Sequence, residues 1–159
     1  MSGATTEPMS TAPIMPLYFE DYEVGARFKT YSRTITEADL AMFCALVGYH
    51  MPLFIDEHYA RETRFGGRIV PGSLTASYST ASTEVLTRWS IIAHLGNREA
   101  RFLGPVRPGD TITTHVEVIE RSDRGEGRGM VTFRDTVVNQ DGTTVYTVEK
   151  LVMVKKRPA

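Results

Sequence analysis

Two kinds of hydrophobic spacing alternate along the chain. Phe28-Lys29-Thr30-Tyr31-Ser32-Arg33-Thr34-Ile35 alternates apolar and polar residues with a period of two, the mark of a half-buried strand. Leu40, Phe43, Cys44 and Val47 then recur at helical spacing. Thr36 is the predicted N-cap of that helix: its hydroxyl can accept from the Asp39 amide while the Asp39 carboxylate reaches back, an acidic variant of the capping box. Gly48 ends it. Asp56 is placed to cap a short helix over residues 57–64, with Tyr59 and Ala60 as its inward residues and Gly66-Gly67 as its break. A further helix begins near Gly72-Ser73, with Leu74, Ala76, Tyr78, Ala81 and Val85 facing inward. Its many small residues would let a curved sheet approach closely, so it is the expected central helix.

The rest reads as strands, over roughly Ile91 to Phe102, Thr111 to Arg121, Met130 to Val138 and Thr144 to Val154. Arg107-Pro108-Gly109-Asp110, Asp123-Arg124-Gly125-Glu126-Gly127 and Asn139-Gln140-Asp141-Gly142 separate them with turn chemistry. One strand, then helices, then four strands predicts an α+β fold with an antiparallel sheet.

A chain of 159 residues suits one domain with its own core. The formal charge of -1 gives no bulk attraction to nucleic acid or to an anionic membrane, so no nucleic-acid or membrane partner is expected. No stretch reaches the roughly 18 to 20 apolar residues that span a bilayer. The first sixteen residues, rich in Ser, Thr, Ala and Pro, lack both a basic start and an apolar core, so a tail or extended arm and a cytoplasmic location are expected. The single cysteine, Cys44, lies in an apolar helical stretch and is read as a core residue. His94 and His115 have no acidic or cysteine partner at ligand spacing, so no metal site is expected.

The segment Leu46-Val47-Gly48-Tyr49-His50-Met51-Pro52-Leu53-Phe54-Ile55-Asp56 resembles the active-site loop of the MaoC-like dehydratase and R-specific enoyl-CoA hydratase family. Tyr18 to Gly25, Ile35 to Asp39, Phe65 to Gly72 and Phe102 to Thr111 are similar to further segments of the same family, and the likeness runs over residues 17–156 in order. It implies a single hot-dog domain, a curved antiparallel sheet wrapped around a central helix, with subunits joined edge to edge as homodimers or higher oligomers. It also implies acyl-CoA or acyl-carrier-protein thioesters as ligands, with no further cofactor.

The family's loop runs Gly-Asp-x-Asn-Pro-aliphatic-His, where the Asp and His activate water; here the matching positions hold Tyr49, Met51 and Phe54. Phe54 cannot carry a proton, and a tyrosine with a pKa of about 10 is a poor base near neutrality. Tyr49 and His50 are therefore the candidate catalytic residues of a rebuilt site. One step along an extended loop reverses a side chain's direction, which argues that His50 faces away from the pocket that Tyr49 faces. Gly72 and Ser73 match the place where the family polarises the thioester oxygen, with Pro71 where it often has His. Phe54, Pro71, Gly72 and Ser73 are the expected substrate contacts. Arg68, in a basic cluster with Arg61 and Arg64, is a candidate for the phosphates of coenzyme A. Three readings follow: a hydratase or dehydratase with an altered or lost dyad; a non-catalytic thioester-binding subunit that partners an active homologue; and another thioester reaction such as hydrolysis, for which no carboxylate stands at the head of the central helix.

Overall fold

Four long strands, the first three ending in glycine-containing turns, carry the architecture of the computed structural model, which describes Ser10–Thr11 and residues 15–158. They are β4 (Ile91–Phe102), β5 (Thr111–Asp123), β6 (Arg128–Val138) and β7 (Thr144–Lys155). Shorter strands β1 (Ser10–Thr11), β2 (Arg27–Lys29) and β3 (Arg33–Thr34) precede them. The sheet order is β1-β2-β5-β6-β7-β4, with β3 also paired to β5. All pairings are antiparallel except that of β1 with β2. The tail expected over residues 1–16 lies largely outside the described residues, although Ser10–Thr11 extends the sheet beside Phe28–Lys29.

The strand expected over residues 28–35 is two strands. Lys29 pairs with His115 and Arg33 with Ile112, so Thr30, Tyr31 and Ser32 face only Thr113 and Thr114. The extra residue is a bulge. The buried Thr30 stabilises it, accepting from the Thr114 amide with its own Oγ1 at 3.1 Å.

The helices are α1 (Glu37–Val47), α2 (Pro52–Ile55), α3 (Glu57–Glu62), α4 (Gly72–Ser82) and α5 (Glu84–Thr87). α1 begins and ends as its sequence requires. The Thr36 hydroxyl accepts from the Asp39 amide at 3.1 Å, Asp39 Oδ2 accepts from the Thr36 amide at 2.8 Å, and Gly48 takes φ 73°, where a side chain would be strained. Cys44 is buried, and burial pushes its thiol up. In α3, Ala60 is buried but Tyr59 is 51% exposed, so only one of the two expected inward residues faces the core.

The sheet curves around α4, the hot-dog arrangement. The buried face of α4 is Leu74, Thr75, Ser79 and Ser82; Ala81, expected inward, is exposed, and Val85 falls beyond a break at Thr83, in α5. Polar residues occupy that face because the strands beneath present polar partners. Ser79 Oγ donates to Asp135 Oδ2 on β6 at 3.4 Å, and Thr114 Oγ1 on β5 donates to Ser79 Oγ at 3.2 Å. Lys150 on β7 donates to Thr83 Oγ1 and to Asp135 Oδ2, both at 2.6 Å. Apolar packing closes both ends of this layer, with Tyr22, Leu86 and Phe133 at one end and Ile35, Leu74, Val106 and Val145 at the other.

Asp39 joins α1 to α4. Its Oδ1 accepts from Tyr78 at 2.5 Å and from Arg33 at 3.1 Å, and the Arg33 guanidinium lies 4.0 Å above the Tyr78 ring. The Tyr78 hydroxyl above all, with the Thr36 amide and hydroxyl and the Arg33 charge, lowers the Asp39 pKa to about 2 against the cost of burial. A carboxyl lowered in the folded state adds stability above its unfolded pKa of about 3.9, and that stability is lost as pH falls through the folded value. Asp39→Asn should therefore cost on the order of 1 kcal/mol at pH 7 and far less near pH 2, which urea midpoints at the two pH values will read.

Candidate functional site

The loop after α1 is shaped by its backbone. The Cys44 carbonyl accepts from the amides of Gly48 and Tyr49, the latter at 2.9 Å, which folds the chain back at the helix end. Pro52 then opens α2, a short helix absent from the expected elements, with its missing amide at a position that needs none. The turn places Tyr49 and Phe54 together. Their rings stack with centroids 5.9 Å apart at 30°, and Phe43 meets Tyr49 edge-on at 6.2 Å.

On one side of this ring pair lies a cavity of about 700 Å³. Tyr49, Met51, Leu53 and Phe54 form one wall, Phe65 with Ile69 to Ser73 leads into α4 along another, and Phe102 to Val106 with Val145 closes the sheet side. Phe102 stacks on Tyr146 with centroids 4.7 Å apart and lies against Gly72, where an added Cβ would meet the ring at 2.8 Å. Gly72 is thus needed for close approach and not for a special φ. The amides of Gly72 and Ser73 have no acceptor within α4, since no carbonyl of the helix precedes them by a turn; the Pro71 carbonyl accepts from Leu74 and Thr75.

The polar groups along this lining are few: the hydroxyls of Tyr49, Ser73 and Thr75, the guanidinium of Arg64, and backbone. Among the described residues, no carboxylate, imidazole or thiol belongs to it. Oriented amides and hydroxyls can hold a carbonyl oxygen, and the apolar walls can hold an acyl chain. The lining offers no strong base.

A second cavity of about 290 Å³ also borders Tyr49 and Phe54 and is otherwise lined by Leu40, Ala41, Cys44, Ala45, Ile55, His50 and Arg68. His50 therefore borders the opposite space from the one bordered by Pro71, Gly72 and Ser73, as its position in the loop argued. Arg68 is also away from the main cavity. Its Nε reaches Glu57 at 3.1 Å and its NH2 reaches Glu37 at 2.9 Å, so it ties α1 to α3. The arginine at the main cavity is Arg64, whose guanidinium sits 4.8 Å from the Phe65 ring. Asp56 caps α3 through the Tyr59 amide at 3.0 Å. Among the described residues no group of three or more His, Cys, Asp or Glu side chains is arranged to hold a metal ion.

Sequence reasoning missed Phe102, Leu103 and Pro105 as lining residues. Their signal was an apolar stretch, Phe102-Leu103-Gly104-Pro105, at the end of β4 just before the turn to β5.

Comparison with known proteins agrees with this geometry. The family model described as MaoC like domain matches residues 20–140. The (R)-specific enoyl-CoA hydratase of Rhodospirillum rubrum is 33% identical over 151 residues, covering 94% of this chain and 99% of that protein. Protein MaoC of Klebsiella aerogenes is 38% identical over 95 residues, 60% of this chain but only 28% of that longer protein. Among solved structures, the monoamine oxidase regulatory protein from Archaeoglobus fulgius superposes with a TM-score of 0.83 at 34% identity, covering 94% of this chain and 99% of that one. Loop, central helix and cavity thus come from a shared ancestry, and the chain belongs to the MaoC-like hydratase/dehydratase family, with the hot-dog fold.

Proposed function

We propose that this protein binds an acyl thioester of coenzyme A or of acyl carrier protein in the 700 Å³ cavity, with the family's two water-activating positions occupied by Tyr49 and Phe54. The observation that carries the reading is the lining itself: apolar walls, helix amides at one end, and no carboxylate or imidazole. The thioester oxygen lies toward the amides of Gly72 and Ser73, and the acyl chain runs along Phe102, Leu103 and Val106. Tyr49 offers the hydroxyl nearest the place of the family's base; His50, across the ring wall, takes no part. Arg64, not Arg68, is the guanidinium available to the carrier's phosphates. The reading calls for no metal or redox cofactor.

A saturated acyl-CoA series of increasing length, titrated calorimetrically, tests it. Affinity should rise about four-fold per methylene until the cavity is full, at the usual value of about 0.8 kcal/mol per buried methylene. Equal binding of free coenzyme A and its long esters would exclude the acyl site.

A second reading, a thioester-binding subunit that pairs with a catalytically intact homologue, draws on the same vacant chemistry and on the sheet edge. β4 ends the sheet, and Ile91, Ile92, Leu95 and Phe102 on it are 42–57% exposed. A long apolar edge of this kind seeks a partner strand. Both readings place a subunit there, a second copy or a homologue. Leu95→Glu should shift the assembly toward monomer in analytical ultracentrifugation, and an unchanged sedimentation coefficient would move the interface elsewhere.

A further inference from the structure

The main cavity and the smaller one behind α1 share two lining residues, Tyr49 and Phe54, and these are the stacked pair. The stacked rings therefore border two spaces, of about 700 and 290 Å³. The far space is mainly apolar, bounded by Leu40, Ala41, Cys44, Ala45 and Ile55, with His50 and Arg68 at its border. The Arg68 charge is already matched by Glu37 and Glu57, so it does not call for an anionic ligand.

We propose that the Tyr49–Phe54 partition determines acyl specificity: it confines the ligand to the main cavity and selects unbranched chains, and the space behind α1 is a side pocket for a methyl branch or ring once the partition is removed. The inference rests on the thioester reading. It follows from the packing of the two rings. Phe43 braces Tyr49 edge-on, and the backbone on either side is fixed by Gly48 in its left-handed turn and by Pro52 at the start of α2, so the pair has little room to yield to a ligand. An aspartate and a histidine at these positions would fill the partition less completely and would make it polar. The same two substitutions that remove proton-transfer groups thus also add an apolar barrier.

The test compares isomeric straight-chain and methyl-branched acyl-CoAs of equal carbon number, with a phenyl-ended ester, by calorimetry on the unmodified protein and on Phe54→Ala, Tyr49→Ala and Phe54→Trp. The unmodified protein and Phe54→Trp should prefer the straight chain. Either alanine variant should gain affinity for the branched or ring-ended ester by about four-fold for each methylene-sized group admitted. Circular dichroism and a urea midpoint check that each variant is folded, and Phe54→Trp, which keeps a closed partition, serves if an alanine variant is not. An unmodified protein that already takes branched and straight isomers equally overturns the proposal. So does a straight-chain preference that survives in folded Phe54→Ala and Tyr49→Ala, and in that case the thioester reading stands. Failure of the unmodified protein to bind any ester overturns both.

Discussion

Changing Tyr49 to Asp together with Phe54 to His should create or greatly raise enoyl-CoA hydration, by at least about 10²-fold over the unmodified protein. The reaction needs a base for water and a proton for the α-carbon, and each general acid or base is typically worth about 10²- to 10⁴-fold. Other requirements of the scaffold are in place: the helix-end turn at Gly48, Pro52 opening α2, and the free amides at the start of α4 beside the cavity. Base and acid act as a unit, so Tyr49→Asp or Phe54→His alone should recover only a small part of the gain. The loss of enoyl-thioester ultraviolet absorbance reads the rate directly. A double variant that binds enoyl-CoA but stays inert would mean that the loop does not present positions 49 and 54 to the α- and β-carbons.

The largest effect on stability is expected at Lys150. Its ammonium is 5% exposed and lies 2.6 Å from Asp135 Oδ2, whose side chain is fully buried. Burial pushes the Asp135 carboxyl up, with Lys150 and Ser79 pulling against that rise. Asp135 Oδ1 has no hydrogen-bond partner among the described residues, so Lys150 is the main compensation for the buried charge. Lys150→Met should cost on the order of 3–5 kcal/mol, the usual result of leaving a buried charge without its partner. Adding Asp135→Leu to that change should return most of the loss, since apolar replacement of both partners is often neutral. In Lys150→Met the folded carboxyl is raised further above its unfolded value, so ionisation is penalised and stability should increase as pH is lowered from 7 toward 5. Urea titrations of the single and double variants at both pH values check all three statements.

This ion pair also marks where the sequence was legible and where it was not. Period-two alternation placed β5 to β7 within a few residues at each end, because long strands with one buried face carry a strong and redundant signal; β4, exposed along almost its whole length, has no such face. The same alternation puts Asp135 between Phe133 and Val137, and Lys150 between Val148 and Val152, on the core face. A charged residue at a core position was there to be read, but the neighbouring apolar residues concealed it. The α4 face was legible only in part: Leu74 is buried and Ala76 and Tyr78 pack against the core, but Ser79 and Ser82 are buried too, because the strands beneath present Asp135 and Thr114, which need hydroxyls. α2 was missed because four residues opening on proline carry no periodicity. Within the site, the position of His50 behind Tyr49 followed from loop geometry alone. The engagement of Arg68 by two glutamates depends on residues 11 and 31 positions away in the chain, and only the fold brings these together.

A cavity that holds a thioester but offers water no base should bind an enoyl ester without consuming it. The measurement that tests it most directly is one titration of the unmodified protein with a straight-chain enoyl-CoA, with heat and enoyl absorbance recorded on the same samples. Saturable binding is expected, with absorbance that stays essentially constant over the experiment. Rapid loss of absorbance at saturation would contradict it, by showing that Tyr49 or another group activates water; absence of binding would contradict it at the ligand itself.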